Sequence, residues 1–304
     1  MPTISSVHVN APLTQLAIQY KNLELVWDRI FPIVPVTKES DVYYVHNKEE
    51  LVEENALRAA GAEAREITWD VTTATYTAQE YALRHLLADR IMDNADAPVR
   101  PQITTTQKLL RKILLGTERR TALLCQDTRN VSNSAAVSIK WDGTSPTIEK
   151  DIDAQKDNVR LSAGVEPTSI VLPYKVKNAF KRDTTIRDLI RYQVPGDILL
   201  RNGELPPVVF NLEVIIAGAI RNTANEGAAE SLSDVWVDNA LVFYKEPSPS
   251  LDALSYGYTF RVNAPLVKTY RVDTRKGLMV EVSLIQTEKV VASACGALIT
   301  DILA

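Results

Sequence analysis

The sequence predicts an α+β protein. Apolar residues recur at helical spacing mainly in the first half of the chain, whereas short β-prone runs dominate after Gly164. Runs of helices followed by runs of strands are typical of this class rather than of alternating βαβ units. The chain has 304 residues, of which 45% are hydrophobic and 24% are charged, which is an ordinary globular composition. This length predicts two lobes, or one lobe with long excursions.

Residues 1–40 predict an extended arm, because four prolines interrupt any long helix. They are Pro2, Pro12, Pro32 and Pro35. A β-prone leg at 42–45 and an alternating apolar and polar leg at 67–78 then flank a polar, alanine-rich stretch at 49–66. The two legs and their polar tip predict a long hairpin.

Three helices are predicted after the hairpin. Thr77 and Glu80 form a capping-box pattern, and apolar residues at helical spacing extend this first helix to about Asp93. The apolar residues are Leu83, Leu86, Leu87 and Ile91. A longer helix is predicted at 104–126, with apolar side chains on one side. Pro146, at a first helical position, begins the third helix, which carries Ile148, Ile152 and Val159.

The remaining elements are predicted to be mostly strands. A buried-type strand at 170–172 precedes two short helices at 174–180 and 185–191. Further strand candidates lie at 130–140, 208–220, 235–244, 256–262, 267–272, 278–285 and 290–303.

Charge and motif content argue against most function classes. The net charge of −4 gives no global basic field, which disfavours DNA binding as the main task. The chain has neither the glycine-rich loops that cradle nucleotides nor a GxSxG nucleophile elbow, so no cofactor and no catalytic residue is predicted. The three histidines, His8, His46 and His85, are isolated, and no metal site is predicted. Cys125 and Cys295 lie in apolar runs and are expected to pack as small hydrophobes.

Membrane insertion and secretion are not expected. The most apolar windows, 208–220 and 290–304, are shorter than the ~20 residues of a membrane helix. The N-terminus lacks a basic region followed by an apolar stretch, so no signal peptide is predicted. These features predict a soluble protein made in a cytoplasm.

Paired carboxylates leave one alternative open. They occur at Glu49 and Glu50, at Glu53 and Glu54, and at Asp151 and Asp153. Such pairs can supply an acid and a base, so an uncharacterised enzyme or binding module of α+β class remains the alternative function. Adjacent acids in a polar stretch more often form a solvated surface. If they do so here, single substitution of Glu53, Glu54, Asp151 or Asp153 removes no activity.

The helix predicted at 104–126 carries a basic side with two candidate roles. Its members are Lys108, Arg111, Lys112 and Arg119. They form either a solvated or ion-paired surface, or one that contacts DNA phosphates without reading sequence. Arg119 and Arg120 can equally pair with the acids of a neighbouring copy.

The second half resembles the major capsid proteins of tailed bacteriophages. The run PTSIVL at 167–172, followed by the segments 174–180 and 184–190, resembles their strand, short helix, turn and short helix. The segments ANEG, VWVDNALVFY and YGYTF at 224–227, 235–244 and 256–260 resemble a second block, which is common in one branch of those coat proteins. Their last strands are matched by VEV, KV and CGALI at 280–282, 289–290 and 295–299. The resemblance is strongest over 160–304.

The resemblance implies the Hong Kong 97-type fold, whose parts follow the same order as the elements above. The N-terminal arm would span 1–40 and the extended loop, a β-hairpin, 41–80. The peripheral domain would span 81–166 and 252–292, with its spine helix at 104–126, and the axial domain 167–251 and 293–304.

The resemblance also implies a structural function. The chain would self-assemble into hexamers and pentamers that form an icosahedral shell around packaged double-stranded DNA, in the virion, after assembly in the host cytoplasm. Implied partners are a portal and a separate scaffolding protein, or no scaffold, because no scaffolding segment precedes the arm. A decoration protein is a further candidate partner. No enzymatic activity is expected.

The length of the hairpin predicts contact with a neighbouring subunit. A compact chain of this length has a radius of gyration of about 19 Å. A leg of ~15 residues extends ~50 Å. The hairpin is therefore expected to protrude onto a neighbour, with apolar contact from Trp69 and Tyr76 and register from nearby charges. Those charges are Glu53, Glu54, Arg58 and Arg65.

Overall fold

A computed structural model describes residues 8–9, 25–45, 53, 56–58, 61, 63–64, 66, 72–94, 100–191, 205–225 and 227–304. Its helices are α1 Trp27–Ile30, α2 Asp89–Asp93, α3 Pro101–Gln126, α4 Ile148–Ala163, α5 Tyr174–Arg182 and α6 Thr184–Arg191. Its first eight strands are β1 His8–Val9, β2 Ile33–Val36, β3 Ser40–Val45, β4 Thr72–Thr77, β5 Gln79–Ala88, β6 Asn133–Ala136, β7 Ser169–Pro173 and β8 Val208–Val209. The other eight are β9 Leu212–Ala217, β10 Ile220–Asn222, β11 Leu232–Asp234, β12 Ala240–Phe243, β13 Gly257–Val262, β14 Leu266–Val272, β15 Gly277–Val290 and β16 Gly296–Thr300.

The first sheet is built around β15, its longest strand. On one side, β13 and β14 pair in succession with β15, both antiparallel. On the other side, β5 pairs antiparallel with β15 along its whole length, from Gln79 opposite Gln286 to Ala88 opposite Gly277. The sheet is completed by β2, parallel to β13, and β1, antiparallel to β14.

The second sheet has the strand order β6, β16, β12, β7, β9, β8. Its central strands β7 and β12 are buried along their whole lengths. One face packs against α3 and the first sheet, through Val171 and Leu241, while the other packs against α4 and α5, through Leu172 and Val242. Burial on both faces explains why these strands are continuous apolar runs rather than alternating ones.

Helix α3 joins the two sheets. Leu110, Ile113 and Leu114 are buried in the same core as Val282 of the first sheet and Leu298 of the second. These apolar positions recur three and four residues apart, so they form one side of the helix. The predicted helix at 104–126 is thus confirmed, with a start at Pro101, where proline is favoured in a first turn.

The helix predicted from Thr77 to Asp93 is wrong. Residues 79–88 form strand β5, and only Asp89–Asp93 is helical. The leucine spacing indicated a helix, but ten consecutive pairs with β15 outweigh that local preference. Leu87 is buried against α3, while Leu83 is exposed.

Several predicted strands are shorter than expected. The strand at 130–140 contracts to Asn133–Ala136, and that at 235–244 to Ala240–Phe243. The long run at 208–220 divides because Phe210 and Asn211 adopt positive φ angles of 53° and 62°, which turn the chain between β8 and β9. The run at 290–303 is likewise divided, with β15 ending at Val290 and β16 spanning Gly296–Thr300.

Candidate intersubunit surfaces

The root of the hairpin is fixed to its own subunit by aromatic packing. Strands β3 and β4 pair antiparallel, which confirms the predicted hairpin over its described part. The Tyr76 ring stacks on Phe260 with centroids 4.5 Å apart, and Tyr43 lies 5.4 Å from the same ring. Tyr76 is buried in this cluster, so its predicted contact with a neighbour has to be corrected. The alternation of the strand directs this side chain inward onto β13.

The outer face of the hairpin root is apolar and exposed, which the sequence reasoning did not single out. Val42 and Tyr44 are 48% and 49% exposed. They lie opposite Thr75 and Thr73, so all four side chains share the face directed away from Phe260. The alternation of residues 42–45 could have predicted this face, because the side chain of Tyr43 points to one side of the strand and those of Val42 and Tyr44 point to the other.

The hairpin tip presents only exposed side chains among the residues described within 53–66. Glu53 and Arg58 are exposed, and Leu57 between them is 90% exposed. Glu54, Arg65 and Trp69 lie outside the described residues, so their predicted roles stay predictions. Leu57 therefore presents an apolar side chain to solvent in the single subunit.

The basic side of α3 is exposed as predicted. Lys108, Arg111, Lys112 and Arg119 all face away from the core. Arg120 does not belong to this set, because its guanidinium makes a bidentate ion pair with Glu288 on β15, at 2.8 and 3.0 Å. Arg120 also lies over the Tyr81 ring at 3.8 Å. The prediction that Arg120 pairs with a neighbouring copy is therefore replaced by a pair within the subunit.

Glu118 is a fully buried carboxylate that sequence reasoning missed. Its Oε2 accepts the backbone N–H groups of Val26 and Trp27, both at 2.9 Å, and its Oε1 accepts the indole N–H of Trp236 at 2.6 Å. The carboxylate thereby caps α1 and ties the end of the arm to the spine helix and to the segment between β11 and β12. The sequence indicated the burial of Glu118 through its position, which is four residues after Leu114 on the apolar side of the helix.

The pKa of Glu118 is raised to about 7. Burial is the main cause, because it removes the carboxylate from water. The hydrogen bonds from Trp236, Trp27 and Val26 oppose this effect, and the negative charge of Asp28 adds to it. The group is therefore close to half-ionised at neutral pH.

A second set of ionic contacts anchors the same segment. The Arg29 guanidinium donates to Glu213 Oε1 at 2.8 Å, and Lys245 donates to Oε2 of the same carboxylate at 2.8 Å. The Thr259 hydroxyl donates to the carbonyl of Phe31 at 3.2 Å. The segment 25–36 is thus attached to both sheets before the chain enters the hairpin.

The paired acids of α4 are engaged separately. Asp151 accepts the indole N–H of Trp141 at 3.0 Å, while Asp153 is exposed and lies 3.8 Å from Lys156. Side chains that are two residues apart in a helix point about 200° apart around its axis. The carboxylates of Asp151 and Asp153 therefore do not converge on one substrate. Of the other acid pairs, Glu49, Glu50 and Glu54 lie outside the described residues.

The residue types that most often bind metals do not cluster in the described part of the chain. Within the described ranges, no group of three or more His, Cys, Asp or Glu residues could hold a metal ion. Cys125 and Cys295 are buried and free, as expected for small hydrophobes, and burial raises the pKa of the Cys295 thiol to about 12. None of the helices in the described part is long and apolar enough to cross a membrane.

Comparison with known proteins points to viral shells. No family model matches the chain. The major capsid protein of Burkholderia phage BcepMu is 23% identical over 291 residues, which cover 91% of each protein. The crystal structure of a phage-related protein from Bordetella bronchiseptica RB50 has a TM-score of 0.74 at 23% identity and covers 97% of this chain and 98% of that one.

A solved capsid shows the same likeness at lower identity. The capsid structure of Cyanophage P-SCSP1u has a TM-score of 0.59 at 11% identity and covers 98% of this chain and 92% of that one. The chain therefore has the fold of phage capsid subunits. The Hong Kong 97-type fold and the α+β class predicted from the sequence are confirmed, and the resemblance to phage major capsid proteins is supported.

Proposed function

We propose that this chain is the major capsid protein of a tailed bacteriophage. It is a structural subunit that assembles through hexamers and pentamers into an icosahedral shell around double-stranded DNA. The observation that carries this proposal is the extent of the likeness. The sequence of a phage major capsid protein aligns with 91% of the chain, and the structure of a phage capsid protein covers 98% of it. The exposed apolar residues of the hairpin, Val42, Tyr44 and Leu57, support it because shell contacts would cover them.

The domain division proposed for the subunit follows its two sheets. The first sheet and α3 form the peripheral domain, and the second sheet forms the axial domain. Strand β6 and helix α4 pack on β16, so we assign residues 133–163 to the axial side instead of to the peripheral range 81–166. The segments 1–40 and 41–80 remain the proposed arm and extended loop.

The proposed place of the protein is the virion shell, assembled in the host cytoplasm. The proposed partners are further copies of the chain, a portal, and a separate scaffolding protein or none. A decoration protein is the remaining candidate. The alternative of an enzyme with paired surface carboxylates is not favoured, because Asp151 is engaged by Trp141 and the matched sequence relative is a capsid protein.

Electron microscopy of the purified protein tests the proposal. The expected result is closed shells, or hexamers and pentamers, together with a megadalton species in sedimentation. A small oligomer of fixed size under all assembly conditions would contradict it. So would turnover of a glycan or phosphoester that disappears with Asp151→Asn or Asp153→Asn.

The basic side of α3 is proposed to make sparse contacts with packaged DNA. Lys108 and Lys112 line a cavity between β5 and α3, whereas Arg111 and Arg119 do not. Arg111 and Arg119 are therefore the main candidates for phosphate contact. We expect isolated subunits to bind duplex DNA weakly, without sequence preference. For Arg111→Ala/Arg119→Ala, the slope of log binding constant against log salt should become shallower by about 2, since each phosphate contact contributes about 0.9. Fluorescence anisotropy over a salt series measures this slope, and a sequence-specific footprint at physiological salt would contradict the proposal.

A further inference from the structure

Helix α1 is attached to α3 through the carboxyl group of Glu118. The backbone N–H groups of Val26 and Trp27, at the start of α1, both donate to its Oε2. The helix has only four residues, and the side chain of its own N-cap residue accepts no hydrogen bond. Glu118 and Trp27 are both buried at this contact. Any change in the charge of Glu118 therefore acts on the attachment of this segment.

The carboxyl group of Glu118 can exist in two charge states at this position. An ionised carboxylate accepts all three of its hydrogen bonds, including that from the indole of Trp236, whereas a protonated group has one oxygen that must donate. The hydroxyl of Thr121 is buried and has no hydrogen-bond partner in the described subunit. Residues three apart are neighbours on a helix, so Thr121 offers an acceptor for the proton of Glu118.

No lysine, arginine or histidine of the described residues forms an ion pair with Glu118. The nearby charge on α1 is that of Asp28, which is also negative, and Cys125, on the same side of α3, is a buried thiol. The arginines of the adjoining elements are engaged by other groups, namely Arg29 by Glu213, Arg120 by Glu288 and Arg261 by Gln286. Ionisation of Glu118 therefore leaves an unpaired negative charge in the core, which is costly.

We propose that Glu118 is a pH-dependent latch for residues 25–31, which is closed when its carboxyl group holds a proton and loosened when the group is ionised. Detachment of α1 would open the carboxylate to water, where its charge is solvated. The attached segment therefore binds the proton more tightly than the detached one, in agreement with the raised pKa of about 7. Attachment is thus firmest in acid and weakens as the pH rises through 7.

The length of chain that the latch loosens is limited by the contacts after α1. The ion pair of Arg29 with Glu213 is 40% and 37% exposed, so it holds α1 only weakly. The hydroxyl of Thr259 donates to the carbonyl of Phe31, and β2 then pairs with β13, through bonds that contain no ionisable group. Loosening therefore stops at Phe31 and leaves the hairpin root in place. The latch is a property of the single subunit and goes beyond the proposed shell function.

Fluorine NMR of the full chain labelled with 5-fluorotryptophan tests the titration of the latch. We expect the resonances of Trp27 and Trp236 to shift with a midpoint near pH 7, and this transition to be absent in Glu118→Gln. Trp141 is the internal control, because its indole donates to Asp151 in the other core cluster, and its resonance should lack this transition. Asp28→Asn removes the nearby negative charge and should move the midpoint to lower pH.

Hydrogen exchange of the unassembled subunit tests whether the latch opens. The opening constant of a peptide covering 25–31, relative to that of Glu118→Gln at the same pH, should rise about tenfold from pH 6 to pH 8. A peptide covering β7 is the control and should show no such rise, because it is buried far from the latch in sequence.

Three results would overturn the latch. They are the absence of the tryptophan transition in the wild type, a transition without faster exchange of residues 25–31, and a midpoint that does not respond to Asp28→Asn. The wild-type titration and Asp28→Asn keep the test decisive even if Glu118→Gln does not fold. None of these results bears on shell formation, which is tested separately by electron microscopy.

Discussion

Glu118→Ala is expected to destabilise the subunit by about 3–5 kcal/mol, because three N–H donors lose their acceptor and a buried unsatisfied donor costs about 1–3 kcal/mol. The donors are the backbone groups of Val26 and Trp27 and the indole of Trp236. Urea unfolding of the unassembled subunit measures the change. Arg119→Ala, one position along the same helix but exposed, is the control and should change stability by about 0.5 kcal/mol or less.

The same carboxylate predicts a pH dependence with a defined sign. Its folded-state pKa of about 7 lies above the ordinary value of 4.5, so the folded subunit holds the proton more tightly than the unfolded chain. The stabilising contribution of the protonated form is therefore present below pH 4.5 and is lost as the pH rises towards 7. The loss amounts to about 3 kcal/mol.

Glu118→Gln isolates this contribution, since the amide cannot ionise. Relative to the wild type, the Gln variant should be more stable at pH 8 than at pH 5, by up to about 3 kcal/mol in the difference between the two free energies of unfolding. A difference that does not change between these pH values would show that Glu118 has an ordinary pKa. The comparison cancels every other titrating group that the two proteins share.

Replacing residues 48–66 with a short Gly-Ser turn is expected to abolish closed shells and leave a folded, soluble subunit. The residues described within this segment are all exposed, so removing them takes away no buried side chain, whereas the hairpin root keeps Tyr43 and Tyr76 on Phe260. A chain with the same segment in scrambled order is the control that separates length from sequence. Stable particles of wild-type size from the Gly-Ser variant would show that the tip is dispensable.

The sequence predicted those elements whose apolar pattern and tertiary contacts agree. Helix α3 carries its apolar residues on the side that the two sheets cover, and β7 is apolar from Ile170 to Pro173 because both its faces are buried. Strand β5 was missed because its leucines fit a helix in isolation, and its partner β15 lies almost 200 residues away. The spacing of apolar residues reflects only neighbours in the sequence, whereas the pairing of β5 with β15 depends on the whole fold.

The candidate surfaces were predictable to a similar extent. The exposure of Lys108, Arg111, Lys112 and Arg119 follows from helical spacing alone. The inward direction of Tyr76 does not, because alternation defines two faces without saying which one meets β13. The burial of Glu118 follows from its place on the apolar side of α3, but its hydrogen bonds to Val26 and Trp236 do not, because these residues are distant in sequence.

The position of β16 has a consequence for synthesis of the subunit. This strand lies inside the second sheet, between β6 and β12, and it is translated after every other strand described here. Until it leaves the ribosome, β6 has no strand partner in the sheet and β12 lacks one of its two. Exposed strand edges on a nascent chain invite aggregation. Newly made chains therefore expose the edges of β6 and β12 until β16 inserts, and a chain that stops before Gly296 cannot complete the sheet.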